Sequence, residues 1–222
     1  PDGAGLPQAL AGVEQAWTFD AETAVTPVVS GGTVYLGSSD GVTAVDAGTG
    51  EEVWSHETEG EVRETPAFYD GTVYAGTDDG VFLALDSRNG DEKWSVGLDG
   101  GVTTSPMVSG VDVYVGTEKF LYSLDVANGN EKWSFETRVA SVAAPAVTEE
   151  RVIFVDGAVV FALDRFTGER EWRSYSGGTL SDVVIGETRV YTTGKSTVYA
   201  QRLLNGVDRW TATVRGNIVG GP

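Results

Sequence analysis

Six tryptophans, Trp17, Trp54, Trp94, Trp133, Trp172 and Trp210, stand 37, 40, 39, 39 and 38 residues apart, and the chain has no others. A period near 40 residues means that one small structural unit is copied, and a unit of that size cannot bury its faces without neighbours. The copies must stack, and the tryptophans are first of all residues that hold the stack.

The copies superpose residue by residue. VTPVVSGGTVYLGSSDGVTAVDAGTGEEVW (25–54) lies over ETPAFYDGTVYAGTDDGVFLALDSRNGDEKW (64–94), TSPMVSGVDVYVGTEKFLYSLDVANGNEKW (104–133) and AAPAVTEERVIFVDGAVVFALDRFTGEREW (143–172). The fifth copy, ending at Trp210, lacks the proline and has Arg202 where the others have Asp46, Asp86, Asp125 and Asp164. Each copy reads as four short strands, 25–30, 33–38, 42–46 and 51–57 in the first, bounded by Gly, Asp or Asn. Asp40-Gly41 and Asp79-Gly80 mark hairpins between the second and third strands. The repeated aspartates stand where a carboxylate accepts turn amides, which makes them turn builders rather than catalytic acids.

Thirty glycines, seven prolines, 41% hydrophobic residues and no sustained helical period place the chain in the all-β class. Four strands per copy at this period predict a β-propeller with the tryptophan on each outermost strand. The expected organisation is one domain over 1–222. It has repeats at 18–54, 55–94, 95–133, 134–172 and 173–210, and partial strands at 1–17 and 211–222. That makes five complete blades and a split or incomplete sixth, to which the degenerate run 2–12 could add a strand. A start at Pro1 and a stop in mid-blade point to a piece of a longer chain, exported or anchored by a segment outside it. An incomplete blade also predicts possible self-association through its open edge.

The formal net charge is −18, from 33 acidic and 15 basic residues, with eleven arginines to four lysines. Such a field repels phosphate backbones and anionic membranes, so nucleic acid is excluded as a partner. It also predicts a salt-adapted surface of a halophilic source, one that loses stability when molar salt is dialysed away. The absence of cysteine rules out disulfides and thiolate chemistry. No apolar run approaches the roughly 18 residues that a membrane span needs.

One string recurs: Ala44, Asp46, Thr49, Gly50, Trp54; then Ala84, Asp86, Asn89, Gly90, Trp94; then Ala162, Asp164, Thr167, Gly168, Trp172, with Ser123 for alanine in the third copy. This A-x-D-x-x-[TN]-G-x-x-x-W pattern resembles the tryptophan-docking motif of the pyrroloquinoline-quinone-like (PQQ-like) propeller repeats, over nearly the whole chain. The resemblance implies structural docking by Trp54, Trp94, Trp133, Trp172 and Trp210 and by Gly50, Gly90, Gly129, Gly168 and Gly206. It also implies either a noncatalytic binding or scaffolding propeller, of the kind found in extracytoplasmic assembly lipoproteins and surface proteins, or a fragment of a quinone-dependent dehydrogenase.

The dehydrogenases carry vicinal cysteines, a tryptophan beneath the quinone and a calcium site of Glu, Asn and Asp. None of these is recognisable here, so no catalytic residue, PQQ, Ca²⁺ or other metal is expected. A sensor domain of a membrane protein is a further alternative. His56, alone on an outer strand, reads as a surface residue, and Asp78-Asp79 and Glu149-Glu150 read as solvated turns. The residues that depart from the template near the channel mouth are Arg63 and Glu64, Lys119 beside Glu118, Arg138 and Lys195. They are the candidate contacts for a protein or small ligand, with a local ion pair as the plainer account of Arg63 and Glu64.

Overall fold

The computed structural model describes residues 16–21, 25–139 and 143–218. The first blade comprises β1 (Val28–Ser30), β2 (Thr33–Ser38), β3 (Gly41–Asp46) and β4 (Glu52–Glu57); the second β5 (Ala67–Tyr69), β6 (Thr72–Gly76), β7 (Val81–Asp86) and β8 (Glu92–Gly97). The third comprises β9 (Met107–Ser109), β10 (Asp112–Gly116), β11 (Phe120–Asp125) and β12 (Glu131–Glu136). The fourth comprises β13 (Ala146–Val147), β14 (Arg151–Asp156), β15 (Val159–Asp164) and β16 (Arg170–Tyr175); the fifth β17 (Leu180–Ile185), β18 (Arg189–Gly194), β19 (Thr197–Arg202) and β20 (Asp208–Thr213). Each blade is an antiparallel meander in chain order.

The cores lie between blades, which is why the middle strands are apolar on both faces. Tyr35, Val42, Ala44 and Trp54 of the first blade pack with Val73, Ala75, Leu83 and Leu85 of the second, and the same mixture recurs at each later junction. The innermost strands touch in the order β1, β5, β9, β13, β17. Among the described residues no comparable contact joins β17 to β1.

The recurring motif has a physical cause at each position. Ala44, Ala84, Ser123, Ala162 and Ala200 pair directly with the tryptophans, and each is followed by a register shift. A small residue is needed there because the indole stands opposite it. Such a register shift locally bends and twists the strand, as a β-bulge does. Asp46 Oδ1 then accepts the amides of Gly48 at 2.9 Å and Thr49 at 2.8 Å, and Asp164 Oδ1 does the same for Phe166 and Thr167. Turn amides hold Asp46, Asp125 and Asp164 below the ordinary carboxylate range, as the Arg88 guanidinium does first for Asp86.

The turn glycines are left-handed, with φ of 77°, 74°, 72°, 71° and 65° at Gly50, Gly90, Gly129, Gly168 and Gly206, and each lies against the tryptophan one repeat before it in the chain. Trp17 covers Gly50, Trp54 Gly90, Trp94 Gly129, Trp133 Gly168 and Trp172 Gly206. Each indole Nε1 donates to a carbonyl in that same turn, Ala47, Ser87, Val126, Arg165 and Leu203 in order, at 2.9–3.0 Å. Position and orientation of each ring are thus fixed by the next blade.

Trp210 departs from the docking role expected of it. Its ring is 44% exposed, against 7–8% for Trp54, Trp94, Trp133 and Trp172, and it is tilted against Tyr191 at 6.2 Å. Among the described residues no glycine turn of a following repeat is there to receive it. Of the partial strands expected at 1–17 and 211–222, residues 211–213 are the end of β20, 16–17 and 214–218 form no strand, and 1–15, with the run 2–12, and 219–222 lie outside the described residues.

The fifth blade survives its two lost motif residues. Gly206 N still donates to the Arg202 carbonyl at 2.8 Å, so the backbone makes the turn that aspartate braces elsewhere. Val183 stands at the register position of Pro66, and with an amide hydrogen available β17 runs six residues instead of the two or three of β1, β5, β9 and β13.

Candidate functional site

An antiparallel meander sorts its connections by end. The hairpins between second and third strands share one end with the links that run from each blade to the next. The first-to-second and third-to-fourth hairpins share the other. Arg63 and Glu64 lie in the β4–β5 link, Arg138 in the β12–β13 link, Lys119 in the β10–β11 connection and Lys195 in the β18–β19 hairpin. All five candidate contacts therefore fall on one end of the propeller, the link face.

On that face Arg63 is tied down from both sides. Its Nε donates to Glu61 Oε2 at 3.0 Å and its NH2 stands 2.9 Å from Asp78 Oδ2. The hydrogen bond to Glu61 is the leading reason that its pKa lies above the ordinary value. Asp78 also accepts the Glu61 amide at 2.9 Å, and Asp79 accepts the Thr77 hydroxyl, so the acid pair braces the link instead of standing free in a turn.

Glu64 has no such help: half-buried, it makes no hydrogen bond or ion pair among the described residues, and desolvation alone pushes its carboxyl above the usual range. Lys119 pairs with Asp99. Arg138 is fixed through its backbone. Its amide and that of Val139 each donate at 2.9 Å to the carboxylate of Asp156, which is 4% exposed, while the guanidinium is exposed. Lys195 is exposed and has no acidic partner among the described residues. His56 is half-buried, with Nδ1 3.2 Å from the Gly90 carbonyl.

The opposite end holds a polar cluster that the repeat pattern hides. Arg165 NH2 meets Asp112 Oδ2 at 3.1 Å and the Ser109 carbonyl at 2.6 Å, NH1 the Thr148 carbonyl at 3.2 Å, and Nε the Tyr114 hydroxyl at 3.1 Å. Lys132 Nζ joins Asp112 and stands 3.2 Å from Asp125 Oδ2. Burial, then the Asp112 charge, pushes the Tyr114 phenol up to about 12. The signal was legible at Arg165, which replaces the Ala47, Ser87, Val126 and Leu203 of the other turns.

Among the described residues no cluster of three or more His, Cys, Asp or Glu side chains could hold a metal ion, and no helix is long and apolar enough to cross a membrane.

Comparison with known proteins agrees with this architecture. The family described as outer membrane protein assembly factor BamB matches residues 9–118 and 94–220. No curated protein matches. Among solved structures, the computationally designed Ika8 protein superposes with a TM-score of 0.78 at 18% identity, over 87% of this chain and 63% of that one. BamB from Moraxella catarrhalis gives 0.55 at 17%, over 84% and 75%. The quinohemoprotein alcohol dehydrogenase ADHIIG from Pseudomonas putida HK5 gives 0.73 at 17%, over 85% and only 41%. At these identities the likeness is one of fold, and the chain spans less than two thirds of the designed protein and of the dehydrogenase.

Proposed function

The chain belongs to the BamB family of PQQ-like repeat propellers, and from that premise we propose that its link face is a noncatalytic docking surface for a protein partner or small ligand outside the cytoplasm. The observation that carries this reading is Glu64. A carboxylate kept half-buried with no cation beside it among the described residues, while the adjacent Arg63 is spent on Glu61 and Asp78, costs stability that a purely structural loop has no reason to give up. The description of the family as an assembly factor favours a protein as the partner.

A dehydrogenase fragment fits less well. Five indoles are already pressed against turn glycines, and the sequence offers no cysteine to lie beside a quinone. We expect neither PQQ nor Ca²⁺ to bind, and a saturable change in the quinone spectrum on adding the protein with Ca²⁺ would restore the enzymatic reading.

The docking face is tested by placing a photo-cross-linking residue at Glu64 or, on the opposite end, at Glu51 in the protein produced in its source cells. A discrete adduct from position 64 and none from position 51 is the expected result. Equal labelling from both positions, or none from 64, overturns the assignment.

A further inference from the structure

Three surface clefts formed by the described residues are acidic. One is lined by Asp20, Asp40, Glu52 and Glu57, a second by Glu57, Glu59, Asp79 and Glu92, and a third by Glu149, Glu150 and Glu187. A fourth lies on the link face, where the chain enters the fifth blade. It encloses about 370 Å³ and its described lining, Gly178, Thr179, Gly194, Lys195, Ser196, Thr197 and Tyr199, includes no carboxylate. Two thirds of the charged residues of the chain are acidic, so a cleft holding a cation alone runs against the composition.

Lys195 is unlike the other lysines. Lys93, Lys119 and Lys132 each pair with a carboxylate. Lys195 has none among the described residues, and the hydroxyls of Thr179, Ser196, Thr197 and Tyr199 around it make no hydrogen bond to those residues either. The walls are nevertheless fixed. Leu180 N donates to the Gly157 carbonyl at 2.8 Å, and Ser176 Oγ is 2.7 Å from the Gly178 carbonyl, which holds the link. Val214 N donates to the Ser196 carbonyl at 2.9 Å and Ile218 N to the Lys195 carbonyl at 2.8 Å, which holds the hairpin.

We propose that this cleft is an anion site that takes one phosphate or carboxylate group of a small ligand, with the Lys195 ammonium as counter-charge and the hydroxyls as donors. Charge-assisted hydrogen bonds to a terminal oxyanion are the strong kind, and the volume is at the small end of ligand cavities. Negative charge elsewhere on the surface disfavours anions generally, so an anion that binds is held by this cleft rather than by the overall field. The site deepens the docking reading by naming the chemistry of one contact on that face.

The test titrates inorganic phosphate and, separately, succinate into the protein at constant high ionic strength, following amide resonances. Saturable shifts confined to 178–180 and 194–197 are expected. Lys195→Gln should weaken binding at least about tenfold with an unchanged melting temperature, Lys195→Arg should retain it, and Lys119→Gln should leave it alone. Phosphate without succinate assigns a phosphorylated ligand, and the reverse a carboxylate. Absence of saturable shifts with either probe, or equal affinity in Lys195→Gln, overturns the site. Because cross-linking at position 64 does not depend on Lys195, an adduct there with no anion binding sinks this inference alone.

Discussion

Trp94→Ala is expected to lower the unfolding free energy by about 3–5 kcal/mol, the cost of emptying a large buried aromatic site. Trp94 sits between the second and third blades, against Tyr74 and Phe82 and over Gly129, and its Nε1 satisfies the Val126 carbonyl. Against the roughly 5–15 kcal/mol that holds an ordinary domain together, that loss is a large fraction. Gly129→Ala should weaken the same junction from the other side. The glycine has φ of 72°, where an L-residue costs about 1–2 kcal/mol, and its added methyl would meet Cε3 of Trp94 at 2.6 Å. Trp210→Ala is the control, expected to cost clearly less than Trp94→Ala because the residue is 44% exposed and no glycine turn seats its ring among the described residues. Denaturant midpoints of the three variants check this; equal losses for Trp94 and Trp210 would refute the docking account.

Arg165→Met is the second large effect, with an expected loss of about 3 kcal/mol. Removing one partner of a buried pair typically costs 3–5 kcal/mol, and Lys132, which still faces Asp112, keeps the value at the lower end. The change also leaves the carbonyls of Ser109 and Thr148 without their guanidinium donors. Combining it with Asp112→Asn should cost less than the sum of the two single changes, since the second removes the charge that the first strands. The cluster has an alkaline limb as well. The folded Tyr114 phenol ionises near 12, above the value of about 10 for an unfolded chain. Its contribution to stability is therefore complete below pH 10 and is lost as pH climbs toward 12. Absorbance at 295 nm should show a tyrosine that titrates late, and later still in Arg165→Met, because the guanidinium holds the phenol down. Stability independent of pH between 10 and 12, or an Arg165→Met protein as stable as the parent, would contradict this.

The blades could be read from sequence because each uses the same few contacts at the same spacing, so an indole, a left-handed glycine and a small residue opposite the ring announce themselves five times over. The strand limits in the first copy, 33–38 and 51–57, lie within a residue of β2 and β4 for the same reason. What breaks the repeat was harder to read. Arg63 and Glu64 stand side by side and invited an ion-pair reading, yet Arg63 reaches Glu61 and Asp78 and leaves Glu64 alone.

Asp156 shows the other difficulty. It occupies an ordinary Asp-Gly turn, and only the fold shows that its carboxylate holds the amides of Arg138 and Val139. Long-range pairs such as Arg165 with Asp112, 53 residues apart, mark the repeat at one position each, so the sequence shows that Arg165 is unusual but not what it meets. That the candidate contacts share one face followed from strand count alone, since four strands return every link to the same end. The Lys195 cleft did not, because its character comes from carboxylates that are missing.

Each seated indole belongs to the repeat before the turn that holds it, from Trp17 on Gly50 to Trp172 on Gly206. Trp210 stands opposite Ala200 as Trp54, Trp94, Trp133 and Trp172 stand opposite their own small partners, with no such turn over it among the described residues. The array is therefore polar: damage to a glycine turn loosens a ring rooted one unit upstream, and a defect is felt toward the amino terminus before it is felt toward the other.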